Sequence, residues 1–143
     1  MASKYIPEST KQEVIERAFG KCEYCLSWMH NAIHTFHIEH IRPFHLSEDS
    51  SIENLALSCG GCNSFKSIKT SAIDPVTKEL VSLFNPRKHE WKEHFTWSDD
   101  YLQVIGITPI GRATVEILRL NRTGLINLRR LTILSGEHPP KDA

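Results

Sequence analysis

Residues 55–66 read L-A-L-S-C-G-G-C-N-S-F-K and combine three local patterns. The opening L-A-L-S is short and apolar, which favours a β-strand. Cys59 and Cys62 then form a C-x-x-C pair, and Asn63 predicts the start of a short helix. The two glycines between the cysteines favour a tight turn, because glycine reaches positive φ angles without steric cost. This stretch therefore predicts a strand, a cysteine knuckle and a helix in immediate succession.

Earlier in the chain, Cys22 and Cys25 form another C-x-x-C pair, C-E-Y-C, and 33 residues separate the two pairs. Two C-x-x-C knuckles predict a tetrahedral zinc site, because a two-residue spacer directs both sulfurs of each pair at one ion. Such a zinc would be structural, since thiolates from Cys22, Cys25, Cys59 and Cys62 fill every coordination position. The alternatives are two unrelated turns with free thiols, or a thioredoxin-like redox pair.

The segments before Cys59 predict the rest of a small platform. T-K-Q-E-V-I-E-R-A-F-G at 10–20 predicts a helix, with Thr10 and Glu13 as a capping box and Gly20 at its end. Residues 36–41 predict a strand, and a polar loop, L-S-E-D-S-S-I-E-N, follows it. The expected order is helix, knuckle, strand, loop, strand, knuckle, helix.

Polar residues on this platform point to chemistry. His40 can act as a general base near neutral pH. The Glu39 carboxylate and the Asn63 amide are hard ligands suited to Mg²⁺ or Mn²⁺, and His37 is a further candidate ligand, although a strand histidine is more often packed or hydrogen-bonded. Strand alternation would put Glu39 and His40 on opposite faces, so the strand should bend or end near residue 40. Together they predict metal-assisted hydrolysis of a phosphodiester.

Four motifs over roughly residues 20–70 resemble those of the HNH endonuclease family, whose fold is the ββα-metal finger. They are C-E-Y-C, H-I-E-H-I-R-P, I-E-N-L-A-L and C-G-G-C-N-S-F-K. The resemblance implies that His40 is the general base and that Glu39 and Asn63 hold one catalytic divalent cation. It also implies that Asn54 stabilises the loop between the strands and helps to orient the base. The family's acidic residue is more often Asp than Glu, and other members carry His in place of Asn63.

The expected fold class is α+β, with a zinc-stapled nuclease core in residues 1–72 and an extension in 73–143 packed on it. In the extension, F-T-W and Y-L-Q-V-I-G around S-D-D predict a hairpin, and Thr108 with Pro109 predicts a helix start. L-I-N-L-R-R-L-T-I-L-S predicts a second helix. The segment also resembles the tail of a group of small bacterial and phage-type HNH proteins.

Charge is balanced over the whole chain, with 17 Lys and Arg against 17 Asp and Glu. The net charge therefore does not indicate a nucleic-acid partner. Candidate phosphate contacts are Lys66, Arg112, Arg129 and Arg130, although solvated helix faces look the same. No apolar run reaches the roughly 18 residues of a membrane span, and the amino terminus has no apolar leader. A cytoplasmic protein is the expectation.

The sequence thus predicts an HNH endonuclease that cuts DNA. Two alternatives stay open, a zinc-dependent nucleic-acid-binding module that never cuts and a nuclease that cleaves RNA. The presence of Glu39, His40 and Asn63 argues against the binding module, because binding alone requires none of them.

Overall fold

The computed structural model describes residues 4–141 and divides them into two compact units. The first unit comprises the described residues up to Thr70 together with Asn85–Lys88, and the second comprises Ser71–Phe84 with residues 89–141. Within this range the chain forms six α-helices and three two-stranded antiparallel sheets, the mixed α and β class that was predicted. None of the described helices has the length and apolar character needed to cross a membrane.

The first unit contains the predicted strand, strand and helix in the predicted order. Its elements are α1 (Glu8–Arg17), β1 (His37–His40), α2 (Phe44–Ser47), β2 (Leu55–Ser58) and α3 (Gly60–Lys66), with short 3₁₀ helices at Met29–Asn31 and Ile52–Asn54. β1 pairs antiparallel with β2, so that His37 lies opposite Ser58 and His40 opposite Leu55. All of β2 is buried, because α1 and β1 both pack on it. β2 has the bounds predicted for it.

Helix α1 begins earlier than the sequence predicted. Pro7 is its N-cap, with φ fixed near the value that a helix start requires, and no side chain caps the helix. Thr10 therefore lies inside the helix, and the predicted capping box is wrong. Arg17, at the end of α1, donates to the backbone oxygens of Ile52 and Leu55, which fixes the helix to the start of β2.

Helix α3 also begins earlier than predicted, at Gly60 and not at Asn63. Cys59 is its N-cap, and the sulfur accepts a 3.4 Å hydrogen bond from the backbone N–H of Cys62. The positive φ angles expected for the two glycines are absent, since both lie in the first helical turn. The reason is that the first turn of a helix itself brings residues three apart to one side, so the knuckle needs no left-handed residue.

The second unit is built from two hairpins and two longer helices. Its elements are β3 (Ser71–Ile73), β4 (Leu80–Ser82), α4 (Trp91–His94), β5 (Phe95–Trp97), β6 (Val104–Gly106), α5 (Pro109–Leu118) and α6 (Thr123–Leu134). The predicted hairpin around S-D-D is β5 and β6, whereas the β3–β4 hairpin was not predicted. Thr108 caps α5 by accepting from Gly111 N at 3.0 Å, as predicted.

Helix α5 forms the centre of the second unit, where it packs against β3, β4 and β6. Gly111 faces the end of α4, and a Cβ there would overlap the backbone oxygen of His94, so only glycine permits this approach. Ala113 and Leu118 of α5 are fully buried. The packing of this unit on the first unit stays a prediction.

Candidate active site

The four cysteines meet in one buried cluster. Sulfur atoms of Cys22, Cys25, Cys59 and Cys62 all lie within 4.8 Å of one another, and the Cys25 and Cys59 sulfurs are 3.7 Å apart. A tetrahedral zinc with Zn–S bonds of about 2.3 Å requires sulfur separations of about 3.8 Å. Hydrogen bonding from neighbouring thiols, that of Cys22 foremost, lowers the pKa of Cys59 far below its ordinary value. The cluster therefore forms a possible zinc site of the predicted composition.

The first cysteine pair is fastened to β2 through Glu23. Its backbone N–H donates to Leu57 O at 2.9 Å, and its carboxylate accepts from Leu57 N at 2.8 Å. Arg87 forms an ion pair with the same carboxylate and donates to Leu55 O. These contacts fix the first cysteine pair relative to β2, and therefore relative to the second cysteine pair, which follows that strand.

A cavity of about 450 Å³ in the first unit brings the predicted catalytic side chains together. His37, Glu39 and His40 line it from β1, and Asn63 lines it from α3. Strand β1 ends at His40, as the alternation argument required, so that both Glu39 and His40 reach the cavity. Lys4 lines the same space.

Glu39 lies at the inner wall of this cavity and is only 6% exposed. Tyr24 donates a 2.7 Å hydrogen bond to Oε1, and the Lys66 ammonium lies 3.3 Å from the same oxygen. Burial raises the pKa of Glu39, while Lys66 and the Tyr24 hydrogen bond act in the opposite direction. Among the described residues no hydrogen bond falls on Oε2, which is therefore the oxygen that a cation in the cavity can use.

Sequence reasoning missed Tyr24 and misassigned Lys66. Burial, followed by the Glu39 charge, raises the pKa of Tyr24 well above its ordinary value, so the phenol stays protonated and donates. Lys66 was predicted to contact phosphate, but it is 1% exposed and also donates to Ile41 O at 3.0 Å. An ammonium with two interior partners does not reach a ligand on the surface, which corrects that prediction.

His40 is held by a second residue that the sequence did not reveal. Its Nε2 lies 2.9 Å from Ser50 Oγ, and the Phe44 ring packs edge-on at 5.5 Å. Ser50 belongs to the polar loop between the strands, and nothing in that run of polar residues singled it out. Burial, with Lys4 as the second cause, lowers the pKa of His40, so the imidazole is neutral and able to accept a proton at neutral pH.

Asn54 closes the loop between β1 and β2. Its side-chain amide donates to Arg42 O and Asp49 O, and its Oδ1 accepts from Arg42 N at 2.9 Å. Its backbone oxygen accepts from Ile41 N. One buried side chain thus fixes both ends of the segment that carries Ser50.

Two of the three predicted arginine contacts have other partners. Arg112 makes a bidentate ion pair with the buried Asp74, at 3.0 and 2.9 Å. Arg129 is 3% exposed and donates to Leu102 O and Leu120 O. Contact of Arg112 and Arg129 with phosphate is therefore not expected, because both guanidinium groups bond to acceptors within the second unit. Arg130 is exposed.

Comparison with known families gives one match, to the HNH endonuclease family, over residues 22–68. No curated protein and no solved structure matches the chain. The matched range begins at the first cysteine and ends just after α3, so it contains the cysteine cluster and every residue of the cavity except Lys4. Residues 22–68 therefore match the HNH endonuclease family, whose members are nucleases that act on nucleic acids.

Proposed function

We propose that this chain is a metal-dependent endonuclease that hydrolyses phosphodiester bonds in DNA. The observation that carries the proposal is the single cavity lined by His40, Glu39 and Asn63, a neutral imidazole beside a carboxylate and an amide. The matched family supports hydrolysis of nucleic acid. DNA as the substrate rests on the resemblance of the motifs, and a cytoplasmic location stays a prediction.

His40 is the general base of this reaction. Ser50 contacts Nε2, which leaves Nδ1 to take a proton from a water molecule as its oxygen attacks phosphorus. The new P–O bond forms while the bond from phosphorus to the 3′ oxygen breaks, and the leaving oxygen takes its proton from solvent. The products are a 5′-phosphate and a 3′-hydroxyl.

The residues present fit a hard divalent cation such as Mg²⁺ or Mn²⁺. Glu39 offers the carboxylate oxygen Oε2, and the Asn63 amide and the exposed His37 line the same cavity. The carboxylate and amide oxygens are the hard donors that Mg²⁺ and Mn²⁺ prefer, whereas the imidazole nitrogen of His37 is a softer donor. When bound, the cation stabilises negative charge on the phosphate and on the leaving oxygen.

The four-cysteine cluster holds a structural zinc in this proposal. All four donors are sulfur, so no coordination position is left for water or substrate. Zinc would join the loop after α1 to the start of α3, and thereby fix the strand pair that carries Glu39 and His40.

A cleavage assay on plasmid DNA and on RNA, with Mg²⁺, Mn²⁺ or a chelator, tests the proposal. His40→Ala is expected to fold, to keep its zinc and to lose on the order of 10² to 10⁴ in rate. His34→Ala is the matched control, because His34 is exposed and does not line the cavity. Full activity of His40→Ala would remove His40 from the mechanism. Cleavage of RNA alone would make RNA the substrate in place of DNA. Binding without any cleavage would favour the nucleic-acid-binding module that never cuts.

A further inference from the structure

The buried pair of Lys66 and Glu39 is not explained by the proposed chemistry. Lys66 Nζ lies 3.3 Å from Glu39 Oε1, and the side chains are 2% and 4% exposed. Lys66 also donates to Ile41 O at 3.0 Å, so the ammonium is fixed in the interior and cannot swing into solvent. The Lys66 ammonium therefore lies against the carboxylate that would hold the cation.

The remaining charges of the cavity do not offset this pairing. Glu39 is the only carboxylate among the described residues that line it. His37, His40, His45 and Asn63 add no carboxylate to the lining, and Lys4 adds another cation. The protein by itself thus presents almost no net negative charge to a divalent cation. Sites that hold Mg²⁺ commonly combine one or two carboxylates with phosphate oxygens of the substrate.

We propose that Lys66 neutralises Glu39, so that the divalent cation and the nucleic-acid phosphate bind cooperatively to this cavity. The phosphodiester supplies the negative charge that Lys66 cancels, and the cation offsets the phosphate charge in turn. By linkage, each ligand raises the affinity of the other by the same factor. This inference rests on the proposed function, since it takes Glu39 as the ligand of the cation.

A purely structural Lys66 gives a different expectation. In that case the ammonium would satisfy Ile41 O and Glu39 without any effect on the binding of a cation beyond the stability of the fold. Replacement of Lys66 by a neutral donor would then lower stability and leave the affinity for a divalent cation unchanged. The affinity of the free protein for Mn²⁺ therefore separates the two roles.

The test measures Mn²⁺ binding by the loss of the free-ion electron paramagnetic resonance signal, with the full zinc-loaded chain in the His40→Ala background so that DNA stays intact. Lys66→Gln keeps an N–H donor for Ile41 O and removes the charge. It is expected to raise the Mn²⁺ affinity of the free protein by about tenfold or more. It is also expected to shrink the increase in affinity that a DNA duplex causes.

Lys69→Gln is the matched control, because it removes the same charge from an exposed position that does not line the cavity. Circular dichroism and zinc content establish that each variant is folded. An unchanged Mn²⁺ affinity in folded Lys66→Gln would overturn the inference, and so would equal affinities of the parent protein with and without DNA. The second comparison needs no Lys66 variant. Absence of Mn²⁺ binding in every arm would overturn the proposed function itself.

Discussion

The hydroxyl of Tyr24 donates a 2.7 Å hydrogen bond to Oε1 of Glu39. Tyr24 lies between Cys22 and Cys25, so the segment that supplies two of the four clustered thiols also holds the carboxylate of the candidate active site. A shift of the first cysteine pair would therefore move Glu39. One buried phenol thus links the possible zinc site to the cavity.

Tyr24→Phe removes this hydrogen bond and keeps the buried ring. Because the acceptor is a carboxylate, we expect the free energy of unfolding to fall by about 1.5–3 kcal/mol, with zinc retained. Chemical denaturation measures the change. Tyr5→Phe is the control, since Tyr5 is 73% exposed and its replacement should alter stability by less than about 0.5 kcal/mol. Equal stability of the two variants would show that the Tyr24 bond contributes nothing net.

Cys59→Ser tests the structural zinc. Cys59 both belongs to the sulfur cluster and caps α3, so its loss removes a thiolate and loosens the start of that helix. We expect the variant to lose zinc and the cooperative thermal transition of the first unit, since metal binding is part of the folding free energy of such small platforms. Chelation of the parent protein should have the same effect, and added zinc should reverse it. Purified parent protein with less than about half an equivalent of zinc would contradict the assignment.

Arg129 and Arg130 are adjacent in the sequence, but their replacement by alanine should affect the free energy of unfolding very differently. Arg129 is buried, stacks 5.2 Å from the Trp97 ring and donates to three acceptors, of Leu102, Leu120 and Asn121. Arg129→Ala should therefore cost on the order of 3 kcal/mol or more, because it strands buried carbonyl oxygens.

Arg130→Ala serves as the control in urea denaturation and should change stability by less than about 0.5 kcal/mol. If Arg130 contacts phosphate, its replacement should also reduce the slope of log K for DNA against log salt by about one. A larger stability loss at Arg130 than at Arg129 would mean that the assigned burial of the two side chains is wrong.

The pair of Asp74 and Arg112 makes the stability of the second unit depend on pH. Hydrogen bonds from Arg112, and then from the backbone of Val76 and Thr77, hold the pKa of Asp74 well below its ordinary value of about 3.9. The folded state therefore binds fewer protons than the unfolded state at acidic pH. The stabilisation by Asp74 is present above about pH 4 and is lost as the pH falls toward the folded pKa.

Asp74→Asn should accordingly be less stable than the parent protein at pH 7, with a difference that shrinks below about pH 4. Urea midpoints at pH 7, 5 and 3 measure this convergence. Asp99→Asn, at an exposed position, is the control and should leave the midpoint nearly unchanged at each pH. A difference between Asp74→Asn and the parent that stays constant down to pH 3 would refute the ionic contribution.

Short-range patterns were sufficient for much of this fold. The bounds of β2 follow from L-A-L-S between a polar loop and a cysteine, and the start of α5 follows from Thr108 and Pro109, because each signal lies within a few residues of its effect. The β3–β4 hairpin was missed because its three-residue strands are too short to show a period and contain no aromatic residues, whereas F-T-W marks the equally short β5.

The fate of the long cationic side chains could not be predicted in the same way. Arg112 pairs with Asp74, which lies 38 residues away along the chain, and Lys66 donates to Ile41 O, which lies 25 residues away. A sequence shows that these residues are charged, but not whether distant buried acceptors meet them. Solvated, phosphate-binding and buried cations therefore look alike until the tertiary contacts are known.

Ser50 is expected to act as a positioning residue for His40. Its Oγ lies 2.9 Å from Nε2, and Asn54 fixes the loop that carries it, so Ser50 orients the ring with Nδ1 available for proton transfer. Ser50→Ala should lower kcat by about five- to tenfold, the equivalent of one neutral hydrogen bond, and leave KM and Mn²⁺ affinity unchanged. Ser51→Ala is the control on the same loop, because the Ser51 hydroxyl hydrogen-bonds to Asp49 and not to His40. Single-turnover cleavage of a defined DNA duplex measures the step directly. Restoration of the rate by Ser50→Thr, which returns a hydroxyl, would support orientation of the ring, whereas an equal loss in Ser51→Ala would assign the effect to the loop as a whole.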